Sequence, residues 1–211
     1  MIQRSLLLKH LDTLLQTNRF RDYCPNGLQV AGDEQVAHII TGVTASQALI
    51  DTAIERGADT ILVHHGYFWK GEDERVVGIK RERLKALLGN DINLIAYHLP
   101  LDNHEIYGNN VQLAEVLGLS IDGPLNEEDP SMPGLIGRLP RPMTGAEFND
   151  WIARRLDREP LYIGEETDII ETVGWCTGAA QSYLQQAINA GVDAFITGEI
   201  NEPAVHLARE T

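Results

Sequence analysis

The stretch Gly57-Ala58-Asp59-Thr60-Ile61-Leu62-Val63-His64-His65-Gly66 decides the reading of this chain. Gly57 stops a helix, because glycine enters the left-handed backbone of a helix end without steric penalty. Thr60 to Val63 is a β-branched, apolar run with the composition of a buried strand. Two histidines and a glycine follow directly. In parallel α/β sheets, ligands collect at the carboxyl ends of strands. Side chains alternate between faces along a strand. At a strand's end, with Gly66 permitting a sharp turn, both imidazoles can instead face one cleft and each hold a different metal. The pair also reads as two hydrogen-bonded polar residues that close a strand.

Outward from this stretch the chain alternates strands and helices. Upstream, Val36 to Val43 reads as a strand and Ser46 to Arg56 as a helix. Ser5 to Thr17 reads as an amphipathic helix with Leu6, Leu7, Leu11, Leu14 and Leu15 on one stripe, and Met1 to Lys9 reads as the start of a helix and not a signal peptide. In Pro25-Asn26-Gly27, Asn and Gly tolerate positive φ and mark a turn. Downstream come a helix over Ile79–Leu88, a strand over Ile92–Tyr97, and a helix over Asn109–Leu117 closed by Gly118. Asn109 or Asn110 is expected to cap that helix.

Prolines at 124, 130, 133, 140 and 142 then break the pattern. They read as a connection over 124–143 between a first lobe, 1–123, and a second lobe, 144–211, with a short strand near Gly134–Leu139. In the second lobe a helix over Thr144–Leu156 opens on a Thr144/Glu147 capping box. A strand follows over Thr172–Thr177, then a helix over Ala179–Ala190 and a strand over Ala194–Thr197. Shifted by 134 positions, Ile40–His65 lies ungapped on Gly174–Glu199, with six of 26 positions identical. Ala45/Ala179, Gln47/Gln181, Ala53/Ala187, Ile54/Ile188, Gly57/Gly191 and Asp59/Asp193 are the matches. The expected fold is therefore α/β: two related lobes from an internal duplication, with largely parallel sheets and a cleft between them.

With 211 residues the chain can bury a sizeable core, and 43% hydrophobic content is ordinary for a globular protein. A net charge of −14 argues against a broad basic face for nucleic acid, leaving room for a local patch. No apolar run is long enough for a membrane span. Two distant cysteines, Cys24 and Cys176, form neither a disulfide framework nor a thiolate zinc motif and fit a reducing cytoplasm.

A second constellation, Tyr97-His98-Leu99-Pro100-Leu101-Asp102, follows the strand that ends at Tyr97. Pro100 prevents regular continuation and lets the chain double back, so His98 and Asp102 can reach one region. Imidazole with carboxylate suits Zn, Mn, Fe or Ni. His98 either binds metal itself or orients a residue that does, and Asp102 also reads as a turn cap. The loop Tyr67–Glu72 beside the histidines is a wall, a lid, or a packing surface for a neighbouring subunit.

These motifs resemble the family named for the third interacting factor of yeast Ngg-one, whose members are also called type 2 homologues of GTP cyclohydrolase I. The resemblance runs through Pro25–Val30, Thr41–Ser46, Val63–Trp69, His98–Asp102, Gly108-Asn109-Asn110 and Ile196–Glu199. It implies two α/β lobes, two divalent metal ions per full-length chain in the cleft between them, and a ring-shaped homohexamer. By similarity His64, His65 and Asp102 match three family ligands. The family's other ligands come from a His-x-x-x-Glu motif near the C-terminus. This sequence stops at Thr211 after a helix and reads as lacking a last strand and helix. His206 and Glu210 have the motif's spacing, but they come earlier than the family places it and read as a solvated helix face.

The function expected from these readings is a metal-dependent hydrolase acting on a small molecule such as a nucleotide. His64 and His65 hold separate ions, and Asp102 sits on one or bridges. Glu199, in the place of His65 in the second repeat, is the candidate base. The competing expectation is a non-enzymatic metal-binding scaffold, with a role in DNA-damage tolerance, or a metal chaperone.

Overall fold

The computed structural model describes residues 1–129 and 132–211; Pro130, one of the prolines named above, lies outside the described residues. In chain order the elements are β1 (Ile2–Gln3), α1 (Arg4–Leu15), β2 (Gly27–Val30), β3 (Gln35–Val36), β4 (Ile39–Thr44), α2 (Gln47–Glu55), β5 (Thr60–His65), α3 (Gly78–Gly89), β6 (Asn93–Ala96), α4 (Leu99–Asp102), α5 (Asn109–Leu117), β7 (Gly123–Pro124), β8 (Leu135–Thr144), α6 (Gly145–Leu156), β9 (Ile169–Cys176), α7 (Leu184–Ala190), β10 (Ala194–Thr197) and α8 (Glu202–Glu210). The chain divides into two compact units, Met1–Leu101 and Asp102–Thr211. Among the described residues no helix is long and apolar enough to cross a membrane.

In the first unit a four-stranded sheet runs β2-β6-β5-β4. β4, β5 and β6 are parallel, and β2 joins β6 antiparallel. The alternation of side chains splits the core into two layers. Ile61, Val63, Leu94 and Ala96 pack with Ile50 and Ala53 of α2 and Leu84 and Leu87 of α3. Ile95 and Tyr97 point the other way, onto Leu7, Leu8, Leu11 and Leu15 of α1. Leu6 and Leu14, expected on the buried stripe of α1, are exposed, and Leu8 takes part instead. The strand expected over Val36–Val43 is two strands. Between them the Ala37 and His38 N–H groups turn to the Asp59 carboxylate, at 2.7 and 2.9 Å, instead of to a neighbouring strand.

The second unit holds the sheet β10-β9-β8-β7. Only β9 and β10 are parallel; β7, β8 and β9 run antiparallel. The α/β class holds, with mixed rather than purely parallel sheets. The stretch 124–143, read as a connection, supplies part of this sheet. Pro140 and Pro142 lie within β8, and there the pairing with β9 shifts between Arg138 and Met143. Proline has no N–H to give to a ladder. Helix α5, expected with the first lobe, packs through Ala114 and Leu117 on Val173, Trp175, Phe148 and Ile152 of the second unit. The Thr144/Glu147 capping box forms in full.

The duplication extends to individual hydrogen bonds. Ile40 is registered with Ile61 on β4 and β5, and Gly174 with Phe195 on β9 and β10, each pair displaced by the same 134 positions. Asp193 accepts the N–H groups of Glu171 and Thr172 at 3.0 and 2.8 Å, the counterpart of the Asp59 clamp. Gly57 and Gly191 both adopt left-handed backbone, with φ of 62° and 70°. One difference has a local cause. Ser46 caps α2 by accepting the Leu49 N–H. Ala180 replaces it in the second copy, and the helix there begins with a 3-10 turn over Gln181–Tyr183.

Each Asp clamp satisfies two backbone N–H groups with an ionised acceptor, and such bonds contribute about 1.5–3 kcal/mol. Asp59→Ala and Asp193→Ala should each lower the unfolding free energy by about that amount in urea titration. An unchanged midpoint in both would show that the clamps are incidental.

Candidate metal centre

The parallel pairing of β5 with β6 sets Val63 opposite Ala96, and the Tyr97 N–H continues the ladder to the Val63 carbonyl at 3.0 Å. Both strands end here, and three imidazoles gather. The ring centroids of His64 and His65 are 4.4 Å apart, those of His64 and His98 5.0 Å, and those of His65 and His98 5.7 Å. One nitrogen from each ring lies within 4.8 Å of the others. The neighbours His64 and His65 therefore do not diverge to opposite faces of the sheet. Gly66 follows them for want of space: a Cβ there would overlap the Gln29 amide oxygen and crowd Ala96.

Each ring is tethered through Nδ1. His64 Nδ1 is 3.0 Å from the Tyr97 carbonyl oxygen, which can only accept, so Nδ1 carries a proton. His98 Nδ1 is 2.7 Å from Asp22 Oδ1, and His65 Nδ1 is 3.3 Å from Thr44 Oγ1. Imidazoles fixed through one nitrogen offer the other to a metal, the usual arrangement of histidine ligands. The donor set therefore fits a divalent ion of the kind that accepts nitrogen ligands. Burial, and then the neighbouring His64 and His98, push the His65 pKa below its ordinary 6.5. That favours the neutral ring at physiological pH.

Asp22 was missed by sequence reasoning, since a lone aspartate before a turn carries no signal. Burial alone would raise its pKa, but hydrogen bonds from His98, Asn26 and Leu99 outweigh that and hold the carboxyl below its usual range. Asn26, read as a turn former, does not adopt positive φ; Gly27 alone does so in that motif, at 97°. Cys24 lies close to Asp22 and His98. Burial, and then Asp22, push its thiol up to about 12, so without a metal ion it is a protonated thiol. Trp69 forms a wall, with its ring 5.0 Å from His98 edge-on and its indole N–H on the Gly66 carbonyl. Tyr67 is core, donating its hydroxyl to the Ala45 carbonyl at 2.7 Å.

The remaining candidates belong to the second unit. Asp102 is 7% exposed and accepts the Asn109 side-chain N–H at 2.8 Å. Asn110 donates to the Asp102 carbonyl and accepts the Thr177 N–H. Neither asparagine caps α5, because that position falls to Gly108 and no side chain bonds there. Glu199 follows β10 and is exposed. His206 and Glu210 are exposed on α8, with His206 3.8 Å from Glu202.

The depressed pKa of His65 has a thermodynamic consequence. The unfolded chain takes up this proton at higher pH than the folded one. Stability of the metal-free protein should therefore fall as pH drops through 6.5 and below, and be indifferent to this group above it. Denaturant unfolding between about pH 5 and 8 should show that decline, and His65→Ala should flatten it. An unaltered profile in the variant would contradict the assignment.

Comparison with known proteins agrees with this architecture. A Pseudomonas aeruginosa protein named GTP cyclohydrolase 1 type 2 homolog is 54% identical over 209 residues, covering 99% of this chain and 82% of the relative. The protein of the same name from Escherichia coli K12 is 52% identical over 197 residues, covering 93% of this chain and 78% of the relative. The solved structure of protein ybgI, itself described as of unknown function, superposes with a TM-score of 0.91 at 48% identity, covering 99% of this chain and 83% of that one. A Thermus thermophilus structure gives 0.84 at 33% identity, with coverages of 99% and 83%. Residues 2–211 match the sequence profile described as Duf34/NIF3 (NGG1p interacting factor 3), and the chain belongs to that family.

Proposed function

We propose that His64, His65 and His98 bind divalent metal together with Asp102, and that the protein is a metal-dependent hydrolase of a small molecule. The observation that carries this reading is the set of three imidazoles, each tethered at Nδ1, with one nitrogen of each within 4.8 Å of the others. Two nitrogens on one ion stand no further apart than twice a metal–nitrogen bond of about 2.0–2.1 Å. The cluster therefore accommodates one ion after slight ring rotation, or two ions with His64 and His65 on separate ones. Zn, Mn, Fe and Ni all accept such a set. Bound there, a divalent ion supplies Lewis acidity that lowers the pKa of a coordinated water.

The chain's own groups have distinct parts in this proposal. His64 is held by Tyr97 so that its lone pair stays aimed away from the sheet backbone. Asp102 adds negative charge, its orientation set by Asn109. Glu199, at the position equivalent to His65 in the second repeat, would serve as the base. Trp69 supplies a flat wall beside His98 suited to a planar substrate. The name carried by the relatives makes a purine nucleotide the first substrate to try, and water attack on a carbon of its base is the step that this equipment serves. A ring-shaped homohexamer is proposed as the working assembly.

Elemental analysis of purified protein should find divalent metal, and His64→Ala should weaken its binding by more than the 10–100-fold typical of residues that only support a ligand. GTP and a panel of phosphoester, amide and cyclic amidine substrates should reveal turnover that His64→Ala abolishes. Metal binding without any turnover would replace the hydrolase with a metal-binding scaffold. A metal content unaffected by His64→Ala would remove the centre itself.

A further inference from the structure

The segment before β2 enters the reading above only as the anchor of one imidazole, yet three hydrogen bonds join it to the turn that carries His98 and a fourth braces it internally. Asp22 Oδ1 is 2.7 Å from His98 Nδ1. Asp22 Oδ2 accepts the Leu99 N–H and the Asn26 side-chain N–H, both at 2.9 Å. Asn26 Oδ1 in turn accepts the His98 N–H at 2.8 Å. The Asp22 side chain is 2% exposed and that of His98 16%, so water competes little for these bonds.

The chemistry of the donors sets the direction of these bonds. The His98 and Leu99 backbone N–H groups can only donate, and so can the side-chain N–H of Asn26. The amide of Asn26 is thereby fixed with its oxygen on His98 and its nitrogen on Asp22. The Asp22 carboxylate then has only acceptor atoms to present to His98. Neutral imidazole exists as either tautomer, and a carboxylate at Nδ1 selects the one with the proton on Nδ1. In that tautomer the lone pair is on Nε2.

We propose that Asp22, clamped by Asn26, is a positioning residue that fixes the tautomer and orientation of His98 for metal binding. This rests on His98 serving with His64 and His65 as a metal ligand. A carboxylate on the far nitrogen also makes the imidazole a stronger donor. Asp22→Asn removes the charge; with its oxygen kept on the Leu99 and Asn26 N–H donors, its NH2 faces His98 Nδ1 as a donor, while the shape of the side chain is kept.

Two measurements on the full chain decide the matter. Nitrogen-15 NMR of histidine-labelled, metal-free protein at neutral pH should find His98 in the Nδ1–H form, and Asp22→Asn should shift it toward Nε2–H. Calorimetric titration with Zn2+ alone should show Asp22→Asn weakening affinity by about 10–100-fold, with no further loss when His98→Ala is already present. An Nε2–H tautomer in the unmutated protein overturns the proposal without any variant. So does full Zn2+ affinity in Asp22→Asn, or an equal loss in the His98→Ala background, which would mark a merely structural effect. If the unmutated protein binds no Zn2+, the metal reading fails by itself, and the proposal with it. The tautomer would then report only a local hydrogen bond.

Discussion

The parallel register that sets Val63 opposite Ala96 governs the rest of the first unit. It brings the ends of β5 and β6 level, so that His64 meets the Tyr97 carbonyl and His98 emerges beside both histidines of β5. A slip of one residue would reverse every side chain on the strand. Ile61 and Val63 would then leave the layer they share with α2 and α3, and the imidazoles would part. The same register is thus enforced twice, by burial of apolar side chains and by the tether at Nδ1. Burial is the stronger constraint: truncating one such core side chain to alanine typically removes about 2–5 kcal/mol, against about 1 kcal/mol for a typical hydrogen bond.

The second unit repeats the strand–helix–strand path, its Gly turn and its Asp clamp, but not the chemistry at the strand end. Gly198 and Glu199 stand where the first copy has His64 and His65. The elements retained in both copies are those that shape the backbone: left-handed glycines after the helices, aspartates that accept two backbone N–H groups, and parallel pairing in equivalent register. A duplicated scaffold with different residues at corresponding strand ends follows from the separation of fold and site in α/β proteins, where the scaffold is set by packing and the chemistry by a few residues at one edge.

Much of this was legible in the sequence where periodicity and punctuation are strong. Helix α5, strand β10 and the Thr144 capping box were readable because apolar spacing, Gly118 and the Thr-x-x-Glu pattern are local signals. The histidines were legible because they end an apolar run. Long-range bonds were not legible. Nothing local shows that Asp59 will break the Val36–Val43 strand by drawing off its N–H groups, or that Asp22 reaches His98 across the fold. Nor does a proline-rich stretch announce that Pro140 and Pro142 sit at a register shift within a strand. Asn26 and Asn109 were read as backbone formers because asparagine favours turns and caps, whereas both spend their amides on acidic residues.

The account stands on the three imidazoles being metal ligands. Anomalous diffraction from crystals soaked in Zn2+ tests this most directly. The account predicts an anomalous peak at a metal–nitrogen distance of about 2.0–2.1 Å from Nε2 of His64, with His65 and His98 completing that centre or an adjacent one. Peaks confined to surface carboxylates, with all three imidazoles bare, would contradict it.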